Sequence, residues 1–205
     1  MDFDYSKISD YEKSLLPFGF SGNVFNLSYK WLEIIPETFE KMKILEIGSY
    51  HGANACSLLK TYGKNHAESE IHCCDPWYDY EGYQEYKDKQ ISNYSTFIKN
   101  ISKLSAEDMK KIYIHRMLSE NCITRFPDES FDIIYIDGNH ESKYVLEDSI
   151  ISYKKIKKGG WIIWDDIHDK QVSEATQLFL FIYKDFFEPQ VTIKNGQLFI
   201  KRKFS

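Results

Sequence analysis

The stretch Lys43-Ile-Leu-Glu-Ile-Gly-Ser-Tyr-His-Gly52 decides the fold of this chain. An apolar run carries Glu46 near its end, Gly48 and Gly52 then bracket a short turn, and a helical pattern follows. This order predicts a strand, a tight turn and the start of a helix. Glycines let a backbone approach a ligand where a Cβ atom would block it. The turn therefore favours a small-molecule cofactor, although a plain strand-to-helix connection that needs two glycines has the same pattern.

Outside this stretch, short apolar runs alternate with helical patterns. The predicted strands are Ile44–Ile47, Ile71–Cys74, Ile112–Ile114, Phe131–Ile136 and Trp161–Trp164. The predicted helices are Ala53–Tyr62, Ile91–Leu104, Ser119–Arg125, Glu141–Ile156 and Gln171–Tyr183. Such alternation predicts an α/β fold whose parallel sheet has helices on both faces, a Rossmann-like, doubly wound arrangement.

The C-terminal residues change this rhythm. Two short apolar runs flank Asn195-Gly196, which is a strong signal for a two-residue hairpin. We therefore expect a mostly parallel, seven-stranded sheet that ends in a C-terminal antiparallel hairpin.

Length and composition bound the protein class. The chain has 205 residues, which predicts one domain over 1–205, with an N-terminal helical segment in 1–42 and a cofactor-binding core in 43–205. Ser28–Ile35 is the best helix candidate in the N-terminal segment.

Net charge, cysteines and hydropathy exclude several partners. The formal net charge is −5, and no basic stripe suggests a nucleic-acid partner. None of the four cysteines shows zinc-ligand spacing. No stretch approaches the roughly 20 apolar residues of a membrane span, so a soluble, cytoplasmic protein without a membrane partner is predicted. The sequence leaves a homo-oligomer open.

Acidic residues follow several of the predicted strands. In open α/β sheets, ligands bind outside the carboxyl ends of the strands. The residues at those ends are Glu46 and Gly48, then Asp75, then Ser119, then Asp137 and His140, and finally Asp165 and Asp166. We expect them along one edge of the sheet.

Asp75 is predicted to accept hydrogen bonds from a ribose, as the corresponding acidic residue does in dinucleotide folds. A turn cap before Pro76 is the alternative role for this carboxylate. Trp77 either stacks on an adenine or fills the core.

Asp137, Asp165 and Asp166 are hard oxygen ligands that suit Mg²⁺ or a similar divalent cation. Alternatively, one of the adjacent aspartates caps the following helix. His140 lies three positions after Asp137, and its ordinary pKa suits a general base for a hydroxyl proton. A purely structural hydrogen-bonding role is its alternative.

The segment from Trp77 to Tyr86 is rich in aromatic and acidic residues. It is predicted to be a lid over a sugar-like substrate, because aromatic faces pack on sugar rings and long unstructured insertions are usually functional. A surface loop tucked against the sheet is the alternative.

These motifs resemble those of class I S-adenosylmethionine-dependent methyltransferases. Glu46-Ile-Gly48-Ser-Tyr-His-Gly52 is similar to the first motif of that family, with Tyr50 in place of the usual middle glycine. The resemblance implies a cofactor site made of Glu46, Gly48, Ser49, Tyr50, Gly52, Asp75, Trp77, Ser119 and Asp137.

A narrower resemblance is to metal-dependent sugar O-methyltransferases and cephalosporin-hydroxylase-like proteins. It covers Phe131–His140, Leu146–Asp148 and Gly159–Asp166. It implies Asp137, Asp165 and Asp166 as ligands of a divalent cation such as magnesium, His140 as base and Asp137 as a second catalytic residue. The implied reaction is methylation of a hydroxyl on a sugar, a glycan or another small-molecule acceptor.

Four alternatives are weighed against this reading. A catechol-like or other small-molecule O-methyltransferase is a close variant. An NAD-dependent oxidoreductase fits worse, because Tyr50 and Ala53 stand where the G-x-G-x-x-G pattern needs glycines. A cofactor-binding module without catalysis disagrees with the retained acids and His140. A nucleic-acid methyltransferase disagrees with the acidic charge balance.

Overall fold

The structure, a computed structural model, describes Asp10, Lys13 and residues 27–81 and 83–204. The prediction of a helical N-terminal segment therefore lies largely outside the described residues. Within them, the helix candidate Ser28–Ile35 is a 3-10 helix over Ser28–Glu33.

The described residues contain a seven-stranded sheet in the order β3-β2-β1-β4-β5-β7-β6. β4 runs parallel to β1 and β5, whereas β7 runs antiparallel to β5 and β6. The strands are β1 (Lys43–Ile47), β2 (Glu70–Cys74), β3 (Ile112–His115), β4 (Phe131–Ile136), β5 (Ile156–Trp164), β6 (Thr192–Lys194) and β7 (Gln197–Lys201). This confirms the predicted α/β class and the antiparallel hairpin at Asn195-Gly196.

The described chain separates into two compact units. Of the described residues, one unit comprises those up to Met42, 49–71, 77–81 and 83–113, and we call it the helical unit. The other comprises 43–48, 72–76 and 114–204, and we call it the sheet unit because it contains all of β1 and β4 to β7. The prediction of one domain over 1–205 stays a prediction.

The sheet unit is built on strands that are apolar on both faces. Ile44 pairs with Ile133, and Ile134 pairs with Ile162; all four side chains are fully buried. Continuous β-branched runs of this kind suit parallel strands that are covered on both sides. The helices of this unit are Ser119–Ile123, Ser142–Lys155 and Lys170–Tyr183, followed by a short 3-10 helix at Lys184–Phe186.

β5 is longer than predicted. It begins at Ile156, directly after the helix that ends at Lys155, and not at Trp161. Lys157 lies in this strand with its ammonium 2.8 Å from Asp132 Oδ1. This part of the strand was not predicted because its residues do not form an apolar run.

The helical unit contains the helix Ala53–Leu58, which continues as a π-helical turn over Leu59–Gly63, and the helices Gln90–Ile101 and Ala106–Met109. Trp31 and Tyr62 pack in its core with ring centroids 6.5 Å apart. No helix among the described residues is both long and apolar enough to cross a membrane.

Candidate active site

The acidic residues of the sheet unit follow strand ends that are tied to one another. Four backbone hydrogen bonds make these connections: Gly48 N–H to Cys74 O (2.8 Å), Asp137 N–H to Ile47 O (2.9 Å), Asp165 N–H to Ile136 O (3.0 Å) and Asp75 N–H to His115 O (3.2 Å). Asp75, Asp137 and Asp165 therefore follow β2, β4 and β5 at the same edge of the sheet, as the carboxyl-end rule requires.

Gly48 makes this edge compact. Its φ is +87°, and an added Cβ would clash with the backbone carbonyl of Asp137. Only glycine satisfies both conditions, because an L residue is strained at this φ and has an atom where the carbonyl lies. The glycine thus lets β1 and the end of β4 approach each other closely.

Asp137, His140 and Asp166 form a cluster, which we call the acid–imidazole cluster. The Nε2 atom of His140 lies 3.8 Å from Asp137 Oδ1 and 3.6 Å from Asp166 Oδ2. One ligand atom from each residue lies within 4.8 Å of the others, and all three side chains are half-buried. The sequence predicts Asp165 as a ligand together with the two other aspartates, and His140 as a base beside them.

Asp165 makes different contacts. Its Oδ2 atom accepts a 2.7 Å hydrogen bond from the hydroxyl of Tyr135. Its Oδ1 atom is buried and has no hydrogen-bond partner among the described residues. Tyr135 also lies 3.2 Å from Asp137 Oδ2 and accepts a hydrogen bond from Gln197 Nε2 at 3.4 Å. The Tyr135 hydroxyl thus fixes the position of the Asp165 carboxylate.

Tyr135 is a residue that sequence reasoning missed. It precedes Asp137 by two positions on β4, so the two side chains share one face of the strand. That period-two spacing was the available signal. Burial, followed by the nearby Asp137 and Asp165, raises the pKa of Tyr135 well above its ordinary value, so its hydroxyl stays a hydrogen-bond donor at neutral pH.

Neighbouring carboxylates oppose the ionisation of Asp137 and Asp165. Removal from bulk water, with a smaller contribution from Asp165 and Asp166, raises the pKa of Asp137 to about 7, although His140 acts in the opposite direction. Burial also raises the pKa of Asp165. A positive charge at this edge would relieve both effects.

Asp166 adopts a left-handed conformation with φ of 48°. Aspartate tolerates this region better than most residues do. The alternative role of Asp165 or Asp166 as the cap of the following helix is not what the structure has. The cap is Asp169, whose side chain accepts hydrogen bonds from the N–H groups of Gln171 and Val172.

Ser119 and Asp148 form a separate polar pair in the sheet unit, and Asp148 Oδ2 lies 3.8 Å from the position that a Cβ on Gly138 would take. Ser119 hydrogen-bonds to the side chain of Asp148, which is only 3% exposed. Burial raises the pKa of Asp148 to about 7. Ser119 therefore has a structural partner, and its predicted contact with the cofactor stays a prediction.

In the helical unit, the glycine loop of residues 49–52 leads into the helix that begins at Ala53. Ser49 is buried, and its hydroxyl has no hydrogen-bond partner among the described residues. Tyr50 has a φ of 43° and stacks on His51 with 3.7 Å between ring centroids. Gly52 has a φ of +80°, and an added Cβ would lie 2.9 Å from Phe97. The predicted contact between this loop and a bound cofactor stays a prediction.

Trp77 fills the core of the helical unit. Its side chain is fully buried, and its indole N–H donates to the carbonyl of Tyr50 at 2.9 Å. In this arrangement the ring has no exposed face on which an adenine would stack. Of the two roles left open by the sequence, the structure has the core-filling one.

The comparison with protein families places the chain. A family described as a methyltransferase domain matches residues 45–167, which is more than half of the chain. The chain belongs to this methyltransferase family. The matched range contains the glycine loop, Asp75, Asp137, His140 and Asp166. The resemblance to S-adenosylmethionine-dependent methyltransferases is confirmed, and the narrower one to metal-dependent sugar O-methyltransferases stays a prediction. The alternative of an NAD-dependent oxidoreductase is not supported.

An uncharacterized viral protein is similar in sequence to this chain. The methyltransferase is 26% identical over 169 residues to an uncharacterized protein of Acanthamoeba polyphaga mimivirus, which covers 81% of this chain and 71% of the relative.

Two solved structures have the same fold. An O-methyltransferase from Bacillus cereus, in complex with S-adenosylhomocysteine (SAH), has a TM-score of 0.63 at 14% identity, over 99% of this chain and 93% of its own. TomG from Streptomyces achromogenes, an O-methyltransferase of tomaymycin synthesis in complex with S-adenosylmethionine, has a TM-score of 0.62 at 12% identity, over 98% and 91%.

Proposed function

We propose that this methyltransferase transfers the methyl group of S-adenosylmethionine to a hydroxyl of a sugar or glycan-like acceptor, with His140 as general base and with a divalent cation. The single observation that carries the proposal is the acid–imidazole cluster. An imidazole lies between two carboxylates at the sheet edge where this fold class binds its ligands. That arrangement suits proton removal from a neutral hydroxyl.

For the cofactor, the support comes from family and from position. The two solved O-methyltransferases with this fold hold the cofactor or its demethylated product. In the sheet unit, Glu46, Gly48, Asp75 and Asp137 follow the sequence order expected of such a site. Asp75 is half-buried at the end of β2, where a carboxylate accepts hydrogen bonds from both ribose hydroxyls. In the helical unit, the proposed contacts are Ser49, Tyr50 and Gly52.

In the proposed reaction, the hydroxyl oxygen attacks the methyl carbon and the carbon–sulfur bond of the sulfonium breaks. The electron pair stays on sulfur, so SAH leaves, and the hydroxyl proton passes to His140 Nε2. Asp137 and Asp166 stabilise the positive charge that the imidazole then has. Because methyl transfer is an in-line displacement, positioning of donor and acceptor supplies much of the rate.

A divalent cation fits the residues at this edge. Two carboxylates and one imidazole are within 4.8 Å of one another, and Asp165 Oδ1 is a buried oxygen without a hydrogen-bond partner among the described residues. Asp137 and Asp166 would hold such an ion, with Asp165 as a further ligand. A bound cation lowers the pKa of a coordinated hydroxyl and orients it. Tyr135 keeps Asp165 in place by its hydrogen bond.

A thermal-shift panel tests the proposal. S-adenosylmethionine and SAH should each raise the melting temperature, because a ligand that binds only the folded state stabilises it by mass action. NAD should not. Mg²⁺ should add a further shift that a chelator removes reversibly.

A shift with NAD and none with SAH would contradict the proposed cofactor. Full methyl transfer in excess chelator would contradict the cation while it leaves the cofactor and His140 in place.

A further inference from the structure

The aromatic segment, which we define as the described residues 77–81 and 83–88, is anchored at its start. Trp77 is fully buried, its ring lies 4.6 Å from Phe97 and 5.1 Å from Tyr94, and its N–H binds the Tyr50 carbonyl. A left-handed φ of 45° at Trp77 turns the chain at this point. The segment is therefore fastened to the glycine loop and does not start as a free hinge.

The far end of the segment is also closed. The side chain of Asp79 accepts the backbone N–H of Asp88 at 3.1 and 3.3 Å. The N–H of Lys89 donates to the carbonyl of Tyr86 at 3.0 Å, just before the helix that starts at Gln90. A loop whose ends are joined in this way is a compact surface element. The prediction that this segment is a lid over a sugar-like substrate stays a prediction.

Between these ends, four half-buried tyrosines form an array that we call the tyrosine platform: Tyr50, Tyr80, Tyr83 and Tyr86. Tyr80 and Tyr83 stack with 5.3 Å between centroids and 6° between planes. Tyr86 lies 6.2 Å from Tyr83 and 4.9 Å from Tyr50. Tyrosine offers a rigid, amphipathic contact surface at low cost in conformational entropy. Because Tyr50 belongs to the glycine loop, the platform reaches the loop proposed for the cofactor.

Charge around the platform is predominantly negative. The exposed residues of this region include four acids and two lysines: Asp79, Glu81, Glu85 and Asp88, and Lys87 and Lys89. Burial and the nearby Glu85 raise the pKa of the Tyr50 hydroxyl. Carboxylates accept hydrogen bonds from hydroxyl groups, and the same charges repel a phosphate or a carboxylate on a ligand.

We infer that the tyrosine platform of the helical unit binds the ring of a sugar without phosphate or carboxylate groups, the class of ligand proposed above. The inference rests on the proposed function. The C–H face of a sugar ring packs on tyrosine rings, and its edge of hydroxyls reaches the carboxylates. A phosphorylated sugar keeps the ring but adds the charge that this surface repels.

Saturation-transfer NMR on the full chain tests the platform with three free probes: glucose, glucose 6-phosphate and catechol. Glucose should receive saturation, and glucose 6-phosphate should bind at least tenfold more weakly. Tyr83→Leu should lower the glucose signal at least threefold, whereas Tyr83→Phe should keep it. Tyr113→Leu is the matched control, because Tyr113 is 42% exposed in the same unit but outside the platform.

Three results would overturn the inference: equal binding of glucose 6-phosphate, a stronger signal from catechol than from glucose, or a glucose signal that Tyr83→Leu leaves unchanged. Calorimetry with SAH on the same samples separates this failure from that of the proposed function. If SAH binds normally and glucose gives no signal, the inference about the platform is wrong and the proposed cofactor is unaffected. A glucose signal that depends on Tyr83, without SAH binding, removes the proposed cofactor and leaves the platform as a sugar site.

Discussion

Two aspartates of the sheet unit have the same raised pKa in different surroundings. For both Asp137 and Asp148 the pKa is about 7, and loss of contact with water is the largest cause in each case. The side chain of Asp137 is 30% exposed at a strand end and faces His140. Asp148 is 3% exposed in the middle of a helix and hydrogen-bonds to Ser119.

The difference shows that a raised pKa does not by itself identify an active site. Structural acids and catalytic acids are both perturbed by burial. What marks Asp137 is access from solvent together with a second proton-carrying group and further carboxylates around it. Asp148 has a hydroxyl partner, Ser119, and is only 3% exposed.

The largest expected effect is at His140. His140→Ala should lower methyl-transfer turnover by about 10²–10⁴-fold, because the acceptor hydroxyl loses its base. SAH formation over a panel of sugar acceptors gives the rate, and calorimetry should give an unchanged affinity for SAH. Glu174→Gln at an exposed helix position is the control and should keep turnover within about threefold, since surface substitutions away from the site have small effects. Near-normal turnover of His140→Ala would remove the base role.

Next comes the stability of Asp148→Asn. The pKa of Asp148 is 3.8 in the unfolded chain and about 7 in the folded protein. Its contribution to stability is therefore fully present below pH 3.8, falls as the pH rises and is lost above about pH 7. The substitution should therefore stabilise the protein at pH 8.5 by about 1–4 kcal/mol, the upper value being three pKa units of 1.36 kcal/mol each.

Urea unfolding at pH 5, 7 and 8.5 measures this change. Glu174→Gln on an exposed helix position is the control and should leave the pH dependence as in the wild type. A stability gain of equal size at every pH would show that packing, and not the titration of Asp148, is responsible.

The smallest of the three effects is expected at Asp75. Asp75→Ala should weaken SAH binding by about 10–100-fold, because a hydrogen bond to a charged group contributes about 1.5–3 kcal/mol. Calorimetry measures the change, and Asp128→Ala at a 66%-exposed position should bind as the wild type does. Unchanged affinity of Asp75→Ala would take this residue out of the cofactor site.

Much of the fold could be predicted from the sequence because the strands of the sheet unit are continuous apolar runs. β4 was predicted over the residues that it occupies, and Asn195-Gly196 correctly marked the hairpin. The start of β5 could not be predicted in this way. Its first half reads Ile156-Lys-Lys-Gly-Gly, and it is a strand because Phe131 pairs with Ile156 and Lys157 pairs its charge with Asp132.

The sequence predicted which edge of the sheet carries the candidate site, but not which side chains contact one another there. The rule for strand ends placed Asp137, Asp165 and Asp166 together. It could not tell that Asp165 turns toward Tyr135 while His140 turns toward Asp137 and Asp166. Side-chain direction depends on neighbours that are distant in sequence, such as Gln197 beside Tyr135.

The sequence by itself determined the order of strands and helices, the glycine turn at Gly48 and the edge of the sheet that carries the acids. These features depend on local patterns: apolar runs, glycine conformations and the shared direction of parallel strands. The tertiary structure alone decided that Asp148 is buried against Ser119, that Trp77 is a core residue and that His140 joins Asp137 and Asp166. Each of these results depends on which distant side chain fills the space beside the residue, and no local pattern contains that information.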